Sequence, residues 1–420
     1  MQKEKETRSC IMQTITQVSF QSRTLVSNIV NKMQGMNNSR KQFIINLFML
    51  YLSLRGRYTF KGMERYGSMC EKSYRLHFEQ DFDFLGFNLE LANAHLSCSL
   101  VLAIDPSYLP KSGKHTPHLA KFWNGCAGRA EKGLEIGGLA LVDLKRNTAF
   151  HLEAVQTPSP KELSTEGKTL VDHYAKVIVE SAQFLKEMTA YLAVDGYFAK
   201  KAFINPIREQ THLHLICKLR QDADLKYLYT GPRRAGKGRP KKYDGKVKLS
   251  AIDKNKFEKV HEDEQVILYQ ALLWSVGLKR KLKVVYASFL DKGKATKRYA
   301  LYFSTDLNLD GLSIYKYYKA RFQIEFLFRD AKQHVGLTHC QARDDNKINF
   351  HVNASLNSVN IAKVGQLGIE NKPFSMANAK TVHANQNMMD IFFQTFEIDP
   401  KLEENKLKIR RLAQYGLIAA

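Results

Sequence analysis

Residues Tyr318–Leu337 read YKARFQIEFLFRDAKQHVGL. The spacing predicts an amphipathic helix. At about 100° per residue, Ile324, Leu327, Phe328, Ala331 and Val335 share one apolar stripe, which a helix buries against a neighbouring element. Tyr318, Arg321, Glu325 and Lys332 fall within an arc of about 60° beside that stripe. A face of i, i+4 ion pairs would use Arg321 and Glu325 but leave Tyr318 and Lys332 idle. Glu325, set among bases and aromatics, therefore needs partners from elsewhere in the chain.

Those partners lie upstream. SLVLAID (Ser99–Asp105), LEIGGLALVDL (Leu134–Leu144), TAFHLEAVQ (Thr148–Gln156), YLAVD (Tyr191–Asp195) and HLHLICKL (His212–Leu219) have the length and apolar content of buried strands. Lys168–Met188, between the third and fourth, has apolar residues at helical spacing. This order predicts an α/β fold with a mixed-sheet core in which the first and fourth strands lie side by side. Asp105 then ends one strand before Pro106, and Asp195 ends another before Gly196. Carboxyl ends of strands form the mouth of an α/β sheet, where ligands bind.

Either aspartate alone is an ordinary turn or cap residue. Together with Glu325 they would repel one another unless a cation lay between them. Three convergent carboxylates without a His or Cys cluster suit Mg²⁺ or Mn²⁺, which prefer oxygen ligands. Two such ions can clamp a phosphodiester, one activating the attacking oxygen and one stabilising the leaving oxygen. Asp105, Asp195 and Glu325 are thus the expected catalytic metal ligands. Tyr318, Arg321 and Lys332 would grip substrate phosphates.

Composition agrees with a polyanionic partner. The 420 residues carry 64 Lys+Arg against 41 Asp+Glu, a formal net charge of +23. That balance favours nucleic acid over membrane. The most apolar run, FIINLFMLYLSL (Phe43–Leu54), is too short to span a bilayer and contains Asn46. MQKEKETRSC is charged and no apolar core of signal-peptide type follows it, so a signal peptide is not expected. The six cysteines form no C-x-x-C pair; they are expected to be reduced and mostly buried in a cytoplasmic protein.

The length allows about two to three domains. Residues 1–92 read as helical, with Asn38-Ser39 as a cap, and Thr59–Gln80 suits a helix-turn-helix carrying Lys72 and Arg75. An ordinary helical hairpin with a solvated basic face explains the same pattern. Residues 93–220 and 299–385 read as two parts of the core, and 386–420 as a C-terminal helical region. Between the core parts, 221–298 reads as a basic β-rich insertion built on VILYQALLW (Val266–Trp274) and KVVYASFL (Lys283–Leu290). Its loop GPRRAGKGRPKKYDGKVK (Gly231–Lys248) offers Arg233, Arg234, Lys237, Arg239, Lys241 and Lys242 to DNA. GPRRAGKG nearly spells a P-loop, but Gly238 stands where Ser or Thr is required. Asp143, Asp330 and Asp344-Asp345 lack the strand context and are expected to be solvated.

Tyr318-x2-Arg321-x3-Glu325-x6-Lys332 resembles, at every spacing, the Y-R-E-K signature of bacterial transposases of the insertion-sequence-four group. AIDPSYLPKSGKHT (Ala103–Thr116) and AVDGYFAKKAF (Ala193–Phe203) look like that group's first and second aspartate regions. GLTHCQARDDNKINFHVNAS (Gly336–Ser355) resembles the segment after the signature helix. The resemblance runs from about Thr59 to the C-terminus. It implies a DDE enzyme with an RNase H-like core, two Mg²⁺ or Mn²⁺ ions, and duplex transposon-end and target DNA as partners. A homodimer in the DNA complex and a nucleoid-associated bacterial protein follow from the same likeness. In some relatives a tryptophan of the insertion stacks on a flipped base; Trp274 is the only one here, in a run that more often packs a core. A metal-dependent nuclease of the same fold and a non-catalytic DNA-binding descendant remain alternatives.

Overall fold

The computed structural model describes residues 21–232, 240–291, 294–367, 373–397, 408–409 and 412–418. The chain opens with helices: α1 (21–32), α2 (Asn38–Ser53), α3 (Phe60–Tyr66), α4 (Glu71–Glu79) and α5 (Phe84–His95). The cap of α2 is Asn37, whose side chain accepts from the Arg40 amide at 2.8 Å, one residue ahead of the predicted Asn38-Ser39. Arg40 is buried, and its guanidinium donates to the carbonyls of His77 and Gln80, tying α2 to the end of α4. Tyr74 and Phe78 of α4 are buried as well, while Lys72, Arg75 and Leu76 face solvent.

Strands β1 (Leu100–Pro110), β2 (Ala120–Asn124), β3 (Arg129–Asp143) and β4 (Thr148–Gln156) follow. After α6 (Pro160–Thr165) and α7 (Leu170–Ala182) come β5 (Tyr191–Val194), α8 (Lys201–Gln210) and β6 (His214–Leu219). β1 runs antiparallel to β3 and β3 to β4, whereas β1–β5 and β5–β6 are parallel. The first and fourth predicted strands are therefore neighbours, as expected. Asp105 does not end its strand, however. β1 continues through Pro106, which sits opposite Gly137 of β3. Its pairing with β5 stops at Ala103, so the other side of β1 is open there and tolerates a proline.

The sheet continues through β7 (Leu225–Leu228), β8 (Tyr243–Lys246), β9 (Glu258–Glu262), β10 (Val266–Ser275), β11 (Arg280–Asp291) and β12 (Lys294–Ser304), with β12 antiparallel to β6. The segment between β6 and the last helices is thus β-rich and shares one sheet with the core. Then come α9 (Gly311–Ala320), α10 (Gln323–His334), α11 (Asp345–Gln366) and α12 (Met376–Thr395). Arg233, Arg234, Lys237 and Arg239, and part of the C-terminal helical region, lie outside the described residues.

Strand alternation splits the core in two. Val101, Ala103, Val142 and Ala193 pack with α2, α10 and α11 on one face. Leu102, Ile104, Leu192 and Val194 pack with α7 and α8 on the other. α11 is buried around almost its whole circumference from Ile348 to Val364. Its asparagines close the free edge of β4. Asn353 accepts from the Ala154 amide and donates to its carbonyl, and Asn360 does the same at His151.

Several expectations on burial fail. Cys70, Cys98 and Cys126 are exposed and only Cys217 is buried among the described cysteines; the first three sit in caps, loops and a hairpin tip rather than in the apolar runs. Asp143 is fully buried because it accepts from Ser97, Lys145 and Arg146 at a tight turn. Asp330 is buried beside Arg329.

Candidate active site

The two aspartates reach the same face of the sheet by parity. Asp105 is two residues beyond Ala103, and Asp195 two beyond Ala193, so both point to the side on which α10 packs. Asp195 caps a short 3-10 turn, Gly196–Phe198, its side chain accepting from the Tyr197 amide at 3.2 Å. Cys217 of β6 donates its thiol to the Asp195 carbonyl at 3.2 Å, steadying that corner.

The signature segment is not one helix. It breaks at Arg321-Phe322, where the Ile324 and Glu325 amides bond the carbonyls of Arg321 and Phe322, three residues back. The predicted apolar stripe is buried all the same: Ile324, Leu327, Phe328, Ala331 and Val335 line the underside of α10. Gly138, opposite Asp105 on β3, lets Phe328 approach; a Cβ there would lie 2.6 Å from the ring. α10 ends at Gly336, φ +68°, with the Leu337 amide bonding the Ala331 carbonyl.

The break turns Arg321 inward. Its side chain is only 10% exposed and its guanidinium lies 3.3 Å from Asp105, 3.9 Å from Asp195 and 3.4 Å from Glu325. The Tyr318 hydroxyl stands 3.5 Å from Asp195. Lys332 makes no ion pair among the described residues, and burial lowers its pKa, offset in part by Asp105. Burial pushes the Asp105 carboxyl up to about 7; Arg321 opposes this, while Glu325 and Asp195 reinforce it. Glu325 is raised by burial too, against Arg321. Glu135 is a buried carboxylate that the sequence reading missed. It accepts from Tyr174 on the opposite face and adds its field to Asp105 through the sheet. Its only signal was an acid inside LEIGG.

As they stand, no three His, Cys, Asp or Glu side chains among the described residues are close enough to hold a metal ion. A guanidinium occupies the point where the charges converge. The donor set nevertheless fits a hard dication: all three groups offer oxygen, and all three already require positive charge between them. Arg321 Nε is buried without a partner, so this guanidinium is held chiefly by the carboxylates.

Other expected contacts lie apart from this cluster. Lys72 and Arg75 are on α4, and Lys241 pairs with Asp244 of β8. Lys242 is exposed nearby. Trp274 is half-buried with its ring 5.6 Å from Tyr243. The more exposed tryptophan is Trp123 of β2, at 64%.

The mixed sheet thus brings two aspartates and a helical glutamate to one guanidinium. A family model described as a transposase DDE domain matches residues 97–361, well over half the chain, and the chain belongs to that family. A search of curated proteins gave no match. Family membership makes this a DNA transposition protein that works by metal-dependent DNA cleavage. No described helix is long and apolar enough to cross a membrane.

Proposed function

We propose that the chain is the transposase of an insertion sequence of the insertion-sequence-four group. It binds the terminal inverted repeats of its element and catalyses strand cleavage and strand transfer. The observation that carries this reading is the convergence of Asp105, Asp195 and Glu325 on Arg321. These three carboxylates would hold two Mg²⁺ or Mn²⁺ ions, which supply Lewis-acid activation of the attacking and leaving oxygens. Arg321 keeps the acids together beforehand, and with Tyr318 and Lys332 it grips the phosphate beside the cleaved bond. An RNase H-like core is supported by the strand order β4-β3-β1-β5-β6, three antiparallel followed by two parallel. Residues 1–92 would bind DNA, 221–298 would be the insertion, and two copies would pair the transposon ends.

The test is strand cleavage on a labelled duplex carrying the repeat that flanks the gene, with Mg²⁺ and with chelator. Glu325→Gln should lose at least about a hundredfold in cleavage while keeping its DNA affinity. Nicking without preference for the repeat and without joining would instead support a nuclease.

A further inference from the structure

A cleft of about 900 Å³ opens between the N-terminal helices and the sheet, outside the carboxylate cluster. Three separate stretches of chain build it. Arg57 and Arg75 come from the helical region, Lys111 follows β1, and His339 and Arg343 come from the segment between α10 and α11. No Asp or Glu lines it. The Lys111 ammonium donates to the carbonyls of Cys340 and Ala342, both at 2.7 Å, which fixes the floor. The Tyr58 amide donates to His339 Nδ1 at 3.3 Å and ties the helical side to it.

The charges are poorly compensated. Arg75 pairs with Glu71 at 2.5 Å, but Arg57 and Arg343 are exposed and have no ion-pair partner among the described residues. The cations also press on one another. After burial, Arg57 is what lowers His339, and Arg343 adds to the lowering of Lys111. A concave site that gathers cations without an acid attracts a polyanion. Small-molecule sites are mostly apolar with a few polar groups, and this lining is the reverse.

We propose that this cleft holds the sugar-phosphate backbone of duplex DNA, as a contact separate from the catalytic cluster. Only the identity of the polyanion rests on the function proposed above. Pro110, at the cleft, is five residues beyond Asp105 on β1, about 16 Å at 3.3 Å per residue. That is the rise of about five base pairs. A duplex laid along β1 would therefore advance by about half a helical turn between the carboxylates and this cleft.

The experiment measures binding of the full chain to the repeat duplex in chelator, where no cleavage occurs, across a KCl series. Arg57→Gln and Arg343→Gln should each reduce the slope of log affinity against log salt by about 0.9, and equally on an unrelated duplex. Neutral methylphosphonates four to six nucleotides from the cleavage site should weaken wild type but cause no further loss in the double variant. Ser112→Glu, an exposed position at the rim, should weaken binding with both arginines in place. An unchanged slope in a folded double variant would overturn the proposal, as would loss from methylphosphonates at every position alike. A reduced slope in a protein that never cleaves would keep the cleft and sink the transposase reading. Normal binding by the double variant, with Glu325-dependent cleavage, would do the opposite.

Discussion

Arg321 is where residue type and position diverge most in meaning. By spacing it belongs to a column of groups that grip substrate. In the fold it is nearly buried and lies within 4 Å of three acids. Removing one member of such a cluster leaves uncompensated charge, worth on the order of 3–5 kcal/mol when fully buried. Asp195 and Glu325 are roughly half exposed, so the loss should be smaller. Arg321→Met is expected to melt earlier than wild type in chelator, by about 2 kcal/mol of unfolding free energy. Mg²⁺ should return more of that stability in the variant than it adds to wild type, because a dication then replaces the guanidinium. Thermal melts with and without Mg²⁺ read both effects; equal Mg²⁺ stabilisation of the two proteins would count against Arg321 as the place-holder.

At the scale of elements, the approach of α10 to β3 decides whether Glu325 reaches Asp105. Gly138 is the hinge of that approach, since Phe328 is buried and its ring fills the space a Cβ would take. Gly138→Ala should push α10 away and reduce cleavage at least tenfold, with little change in DNA affinity. Adding Phe328→Leu should recover most of the activity, because the smaller side chain clears the new methyl. Failure of the second change to rescue would mean the glycine serves some other need. The GG pair was visible in the sequence as a break in an apolar run, but which helix used the gap was not. α11 shows the same limit. HVNASLNSVN (His351–Asn360) looks half polar, yet Asn353 and Asn360 are buried because they satisfy the backbone of an edge strand. No periodicity reports a partner about two hundred residues away.

Across the whole molecule, histidines join the N-terminal helices to the core. His351 of α11 is fully buried, donates from Nε2 to the Gly336 carbonyl and accepts the Tyr51 hydroxyl at Nδ1. Burial holds its pKa down at about 4. The unfolded chain takes up that proton near pH 6.5 and the folded chain only near 4, so this residue's contribution falls as pH drops through that window. His351→Gln should be less stable than wild type at pH 8, by about 1–3 kcal/mol for the lost bonds. The gap should then close by roughly 1.4 kcal/mol per pH unit below about 6.5. Urea unfolding of both proteins from pH 8 to 5 checks this; a constant gap would show that His351 takes up its proton as readily in the fold as in the unfolded chain.

The sequence by itself determined the chemical inventory and the local periods. The strands, the apolar stripe of α10, the three acids and the excess of positive charge were all legible, because burial of a face repeats every two or 3.6 residues. Tertiary structure decided which charges meet. The break at Arg321-Phe322 places a guanidinium between carboxylates, and strand parity sends Asp105 and Asp195 to the side of α10. Asp105 and Arg321 are 216 residues apart, and the basic cleft draws on three segments that are separate in the sequence. Electrostatic contacts act over a few ångströms, while periodicity encodes only which way a side chain faces, so the meeting point exists only once the sheet has closed.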